Sequence, residues 1–107
     1  MVHSVSLDQD NPYAKKILVV DDYSSTRQMI VDALHQCGYM SVQEADNGRE
    51  ALNILKKDLY DLVISDVMMP YMNGMDLLRN LKELQPDTAV IMITGTLDSC
   101  RRRLMNW

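Results

Sequence analysis

Ile17-Leu18-Val19-Val20-Asp21-Asp22 decides the reading of this chain: an apolar run of strand length that ends abruptly in two carboxylates. Two further runs repeat the pattern, Leu62-Val63-Ile64-Ser65 into Asp66 and Ala89-Val90-Ile91-Met92-Ile93 into Thr94. If the three are neighbouring parallel strands, three carboxylates and a hydroxyl meet at one sheet edge. That edge, outside the carboxyl ends of the strands, is where open α/β sheets place their sites. Strands this continuously apolar suit a sheet covered on both faces by helices.

The segments between the runs have helical period, so strands and helices alternate as in βαβ units of a parallel sheet. A first helix is predicted to start at Ser24 or Ser25, either of which can cap it, with Met29, Ile30, Ala33, Leu34 and Cys37 on its inner face and Gly38 ending it. Residues 41–45, with Val42 and Ala45 among polar neighbours, read as an edge strand. Asn47-Gly48 then turns into a second helix with Ala51, Leu52 and Leu55 inward. A loop over 67–73 follows Asp66. The third helix starts near Gly74, carries Leu77, Leu78, Leu81 and Leu84 at helical spacing, and is stopped by Pro86. Residues 95–107 can begin a fourth.

The length of 107 residues allows one domain, and 47% hydrophobic with 24% charged residues is ordinary for a globular protein. Residues 1–14 read as a polar, flexible leader, broken by Asn11-Pro12, and residues 15–107 as the folded domain. No run approaches the length of a membrane span, and the first dozen residues lack the apolar stretch of a secretory signal, so a cytoplasmic protein without a membrane partner is expected. Cys37 and Cys100 show no metal-type spacing and read as two reduced thiols. The net charge of -4 contains three arginines, Arg101 to Arg103, so the first 100 residues carry -7. So acidic a body argues against direct nucleic-acid binding.

Carboxylates confined beside an apolar wall repel one another and raise one another's pKa. A hard divalent cation with oxygen ligands relieves this, and Mg²⁺ characteristically takes one or two carboxylates, waters and a phosphate oxygen. No histidine lies near these motifs, since His3 is in the leader and His35 in the first helix, which argues against a Ser/His/Asp or Cys/His hydrolase. The four glycines form no phosphate-binding loop of the P-loop or dinucleotide type. What remains is a carboxylate beside Mg²⁺ acting as nucleophile toward a phosphoryl group. A haloacid-dehalogenase-type phosphatase would want its nucleophile and acid two residues apart after the first strand, which Asp21-Asp22-Tyr23 does not offer.

Together, Ile17-Leu18-Val19-Val20-Asp21-Asp22, Asp66-Val67-Met68-Met69-Pro70, the Met72-Asn73-Gly74 turn and Thr94-Gly95 resemble the receiver domain of two-component response regulators. The match runs from about residue 15 to 95, with every motif in the family's order. The resemblance implies a doubly wound, flavodoxin-like parallel sheet of order 2-1-3-4. It also implies Asp66 as phosphoacceptor, Asp22 as a direct Mg²⁺ ligand, Asp21 as a ligand mainly through water, and the backbone carbonyl of Met68 as another. Thr94 would be the switch hydroxyl that meets the phosphoryl group, and small Gly95 would leave that group room to reach backbone amides. Pro70 and Gly74 would shape the loop. The donor would be a phosphohistidine on a sensor histidine kinase or phosphotransfer protein, and a downstream protein would read the output. The domain would be a signalling module that catalyses only its own phosphorylation and dephosphorylation, not an enzyme acting on other substrates.

Past Gly95 the family's fifth strand, the lysine after it and the fifth helix have no counterpart here; all five lysines precede Thr94. A sheet lacking that strand leaves the 89–93 strand with unpaired backbone groups, and several hundred Å² of bare apolar surface is worth several kcal/mol at about 25 cal/mol per Å². A homodimer covering the exposed edge is therefore expected, and light scattering at micromolar concentration checks it. The alternative to a phosphorylated receiver is a degenerate one that dimerises or docks a partner without phosphorylation.

Overall fold

Four short strands, β1 (Ile17–Val20), β2 (Val42–Ala45), β3 (Leu62–Asp66) and β4 (Ala89–Ile93), lie parallel in the order β2-β1-β3-β4. Three helices connect them: α1 (Ser24–Gln36), α2 (Gly48–Leu55) and α3 (Gly74–Leu84). The structure is a computed structural model that describes residues 11–69 and 71–93. The chain winds outward from β1 to β2 and then crosses back to β3 and β4, so the order reverses between β1 and β3. At such a switch point the loops leaving adjacent strands diverge and open a crevice. This is the α/β, doubly wound sheet expected from the sequence.

Alternation along each strand divides the core into two layers. Leu18, Val20 and Val63 face Ala51, Leu52 and Leu55 of α2 and Leu77 and Leu81 of α3. Ile17, Val19 and Ile64 face Val31 of α1 on the other side, with Ile30 and Leu34 packed beside them. β1 is buried at all four positions, as befits a central strand between two helical layers. β2 buries Ala45 alone and is an edge strand.

Local chemistry explains most of the boundaries. Asn47 caps α2 by accepting from the Glu50 amide at 2.8 Å, while Glu50 Oε1 reaches back to the Asp46 amide at 2.8 Å. Asn73 caps α3 by accepting from the Asp76 amide at 2.9 Å. Gly38 adopts φ 102 after α1, the left-handed conformation that glycine reaches without a Cβ penalty.

Three local expectations need correction. The cap residue of α1 is Tyr23, and its side chain makes no capping bond; Ser24 is already helical. The inner face of α1 is Thr26, Ile30, Val31 and Leu34, whereas Met29, Ala33 and Cys37 are exposed. Both stripes have helical spacing, and the burial of Thr26 and Val31 fixes the rotation that the period alone leaves open. Leu84, the last residue of α3, is exposed, and the next residue, Gln85, is buried instead. The Gln85 amide donates to the carbonyls of Leu55 (2.8 Å) and Asp58 (2.6 Å) and accepts from the Tyr60 amide (2.9 Å) and the Thr88 hydroxyl (2.9 Å). Its polar ends are thus satisfied inside the protein, and they tie the α2 C-terminus to the start of β3.

At the β4 side Ile91 is half exposed, and Lys15, Asp61 and Asp87 stand beside apolar residues. Ile17, Leu34, Tyr39, Leu62, Ile64 and Ile91 line an open groove of about 560 Å³ there. Residues 11–14, at the end of the expected leader, include a short 3₁₀ turn (Pro12–Ala14), and the Tyr13 ring sits 5.1 Å from that of Tyr39.

One contact joins the fold to the site. A Cβ built at Gly74 would lie 2.5 Å from the Asp66 carbonyl oxygen and 2.9 Å from Val67 Cα, both backbone atoms that cannot swing aside. Gly74→Ala is therefore expected to destabilise the domain by about 1–3 kcal/mol, the range for overpacking a close-packed contact. Urea denaturation checks it, and an unchanged midpoint would show that the α3 start is not held this tightly.

Candidate functional site

The β1–β3 register creates the site. Val20 stands opposite Ser65 across the ladder, so the residues that follow, Asp21 and Asp66, emerge side by side at the carboxyl ends of their strands. Carboxylate oxygens of Asp21, Asp22 and Asp66 all lie within 4.8 Å of one another. Asp21 and Asp66 are buried, while Asp22 is exposed and opens the cluster to solvent.

Asp21 is held from three directions. Its amide donates to the Ala45 carbonyl at 3.1 Å, its Oδ1 accepts from the Tyr23 amide at 2.9 Å, and its own carbonyl accepts from Arg27 Nη1 at 2.7 Å. Asp66 Oδ1 accepts from the Met68 amide at 3.2 Å, a bond that orients the carboxylate and folds the loop back over it. Val67 N donates to the Ile93 carbonyl at 3.1 Å, fastening the start of that loop to β4.

Two atoms stand out against this ordering. Asp21 Oδ2 and Asp66 Oδ2 are buried and have no hydrogen-bond partner among the described residues. Buried polar atoms are ordinarily paired, and a pair of unsatisfied anionic oxygens facing the same acidic cluster is costly. Burial, the larger cause, and the neighbouring charges of Asp66 and Asp22 push the Asp21 carboxyl up to about 6, against the opposing pull of the Tyr23 amide and Arg27. Asp66 is also raised, by burial first and then by Asp22, against its bonds from the amides of Met68 and Val67. The all-oxygen donor set, the excess negative charge and the two orphaned oxygens fit a hard divalent cation of the Mg²⁺ type.

Of the residues singled out from the sequence, Asp21, Asp22 and Asp66 are brought together. The Met68 amide touches Asp66, while its side chain is exposed. Thr94, Gly95 and Pro70 lie outside the described residues, as does the fourth helix expected over 95–107. One contributor, Arg27, escapes the sequence reading: its Nε also donates to Glu44 Oε1 at 2.9 Å. The trace it leaves in the sequence is a lone cation one turn into α1, six residues after Asp21.

Known proteins resemble this chain in sequence and in fold. The chain is 44% identical over 82 residues to the chemotaxis protein CheY-3 of Vibrio cholerae, covering 75% of this chain and 63% of that protein's length. It is 37% identical over 81 residues to the chemotaxis protein CheY of Thermotoga maritima, covering 76% and 68%. The crystal structure of a response regulator receiver domain protein from Clostridium thermocellum superposes with a TM-score of 0.71 at 38% identity, covering 86% of this chain and 74% of that one. The family model described as the response regulator receiver domain matches residues 17–105, which takes in every strand and helix from β1 to β4. On that span of sequence, this chain belongs to the response regulator receiver domain family.

Proposed function

We propose that this domain is a two-component receiver that accepts a phosphoryl group on Asp66 from a phosphohistidine of a sensor histidine kinase or phosphotransfer protein. The observation that carries the proposal is the pair of buried oxygens, Asp21 Oδ2 and Asp66 Oδ2, which have no hydrogen-bond partner among the described residues and belong to carboxylates clustered with Asp22. Asp22, Asp66 and the backbone carbonyl of Met68 would hold Mg²⁺ directly, with Asp21 acting mainly through water. When bound, the ion offsets the repulsion between the Asp66 carboxylate and an incoming phosphoryl group.

The chain's own residues do the rest. The Met68 amide holds one Asp66 oxygen, which orients the buried carboxylate beside Asp22. In transfer, a bond forms between an Asp66 oxygen and phosphorus as the bond from phosphorus to the donor's imidazole nitrogen breaks, and that nitrogen keeps the electron pair. Hydrolysis by water returns Asp66 to the carboxylate and releases inorganic phosphate. The switch role of Thr94 and the phosphate-binding role of Gly95 rest on the sequence motifs. Receiver domains are signalling modules rather than enzymes in the usual sense, and a downstream protein would read the phosphorylated state. We place it in the cytoplasm; among the described residues no helix is long and apolar enough to cross a membrane.

Incubation with Mg²⁺ and acetyl phosphate followed by intact-mass measurement tests the reading. A phosphoryl adduct supports it. No adduct under any condition would favour the degenerate, phosphorylation-independent receiver, and sustained turnover of a phosphate ester would point to a phosphatase. For the metal, calorimetric titration of Asp22→Ala with Mg²⁺ is expected to show binding weakened at least tenfold, in line with the loss of a directly ligating carboxylate. Unchanged affinity would remove Asp22 from the ligand set.

A further inference from the structure

Arg27 sits one turn into α1 and reaches two partners at once. Its Nη1 donates to the Asp21 carbonyl oxygen at 2.7 Å and its Nε to Glu44 Oε1 at 2.9 Å. The side chain is only 18% exposed and that of Glu44 39%, so this ion pair lies between α1 and β2 rather than in free solvent. The carbonyl it grips belongs to the peptide unit between Asp21 and Asp22. That unit is the covalent link between the buried carboxylate and the exposed one.

From this juxtaposition we infer that Arg27 is a positioning residue, which sets the relative placement of the Asp21 and Asp22 carboxylates by pinning the peptide plane between them. The inference rests on the Mg²⁺ site proposed above. Asp21 is restrained by the Ala45 carbonyl and the Tyr23 amide as well, but the bond from Arg27 acts on the Asp21–Asp22 peptide oxygen itself. Rotation of that plane would move Asp22, whose side chain is exposed and has no burial to hold it. Glu44, anchored on β2, keeps the guanidinium from swinging away, and the planar fork suits Arg27 to serving both partners together.

Positioning and bare charge predict opposite signs, which makes the inference testable. A cation beside an acidic pocket repels a second cation, so if Arg27 acted through charge alone its removal would tighten Mg²⁺ binding. If it acts by holding the peptide, removal loosens the site despite the gain in negative potential. Mg²⁺ affinity of the full chain is measured by calorimetry for the parent, Arg27→Gln and Arg27→Lys, with thermal melts in EDTA alongside. Arg27→Gln is expected to bind about tenfold more weakly, the usual effect of losing a group that orients a metal ligand. Arg27→Lys, which keeps the charge without the fork, is expected to fall between it and the parent.

Melting midpoints in EDTA should stay close to the parent's, and if Arg27→Gln does not fold, Arg27→Lys carries the test. Unchanged or tighter binding in either folded variant overturns the inference, and so does a fall in the EDTA midpoint of both variants large enough to account for the weaker binding. A parent that binds no Mg²⁺ would instead end the metal reading itself, an outcome distinct from parent-like binding by the variants.

Discussion

Asp66→Ala is expected to take up no phosphoryl group from acetyl phosphate under conditions in which the parent is labelled. The residue is 2% exposed, at the end of a strand paired on both sides, with one oxygen held by the Met68 amide and the other without a hydrogen-bond partner among the described residues. Neither neighbour can take over its part. Asp21 is fully buried and tied through its amide, carbonyl and Oδ1. Asp22 is solvated and lies at the mouth of the pocket, without the backbone donor that orients Asp66. A nucleophile absent from its place removes the covalent route entirely, so the loss should be complete rather than partial. Intact-mass measurement after incubation reads the result, and a parent-like adduct on Asp66→Ala would move the acceptor to another side chain.

The second large effect concerns stability in the absence of divalent cation. The Asp21 carboxyl titrates at about 6 in the folded domain, above its ordinary value of 3.8, with burial as the main cause. The folded state therefore binds this proton more tightly than the unfolded chain does. Between roughly pH 4 and pH 6 the folded protein holds more protons, so stability falls as pH rises through that window, the reverse of a salt-bridged aspartate. Near neutral pH the ionised Asp21 costs on the order of 3 kcal/mol at 1.36 kcal/mol per pKa unit, and Asp66 acts in the same direction.

Asp21→Asn removes the buried charge and keeps an oxygen that can accept from the Tyr23 amide. It is expected to raise the melting midpoint in EDTA near neutral pH by about 10 °C or more, from 4–8 °C per kcal/mol for a domain of this size. At about pH 4 the gain should nearly vanish, because the parent's carboxyl is already neutral there. Saturating Mg²⁺ should shrink the difference, since ligand binding stabilises the state with the intact acidic site. Thermal melts at the two pH values, with and without Mg²⁺, measure all three. A variant no more stable than the parent in EDTA would mean that the pocket is not electrostatically strained.

Local patterns made much of this molecule readable in advance. The three apolar runs are strands, residues 42–45 form the edge strand, and the Ala51, Leu52, Leu55 and Leu77, Leu81 spacings mark buried helix faces. These features follow from period and from cap chemistry at Asn47 and Asn73, which neighbouring residues settle among themselves. The inner face of α1 was less legible because apolar residues flank it on both sides: Met29, Ala33 and Cys37 compete with Val31 at equally good helical spacing. Gln85 was not legible either, since a polar residue reads as exposed until three partners from a distant segment, Leu55, Asp58 and Tyr60, are seen around it beside nearby Thr88.

Strand and helix order, and the gathering of three carboxylates, follow from local pattern, because residues placed directly after apolar runs stand at the strand ends of a parallel sheet. How the cluster is tuned depends on the assembled fold. The register that sets Val20 against Ser65 fixes the distance between Asp21 and Asp66, and the packing of two helical layers withdraws both from water. The reach of Arg27 to a carbonyl six residues away and to a carboxylate on β2 joins groups whose separation along the chain carries no local signal. Burial and long-range pairing are properties of the assembled chain, and they strain the acidic pocket while holding it in shape.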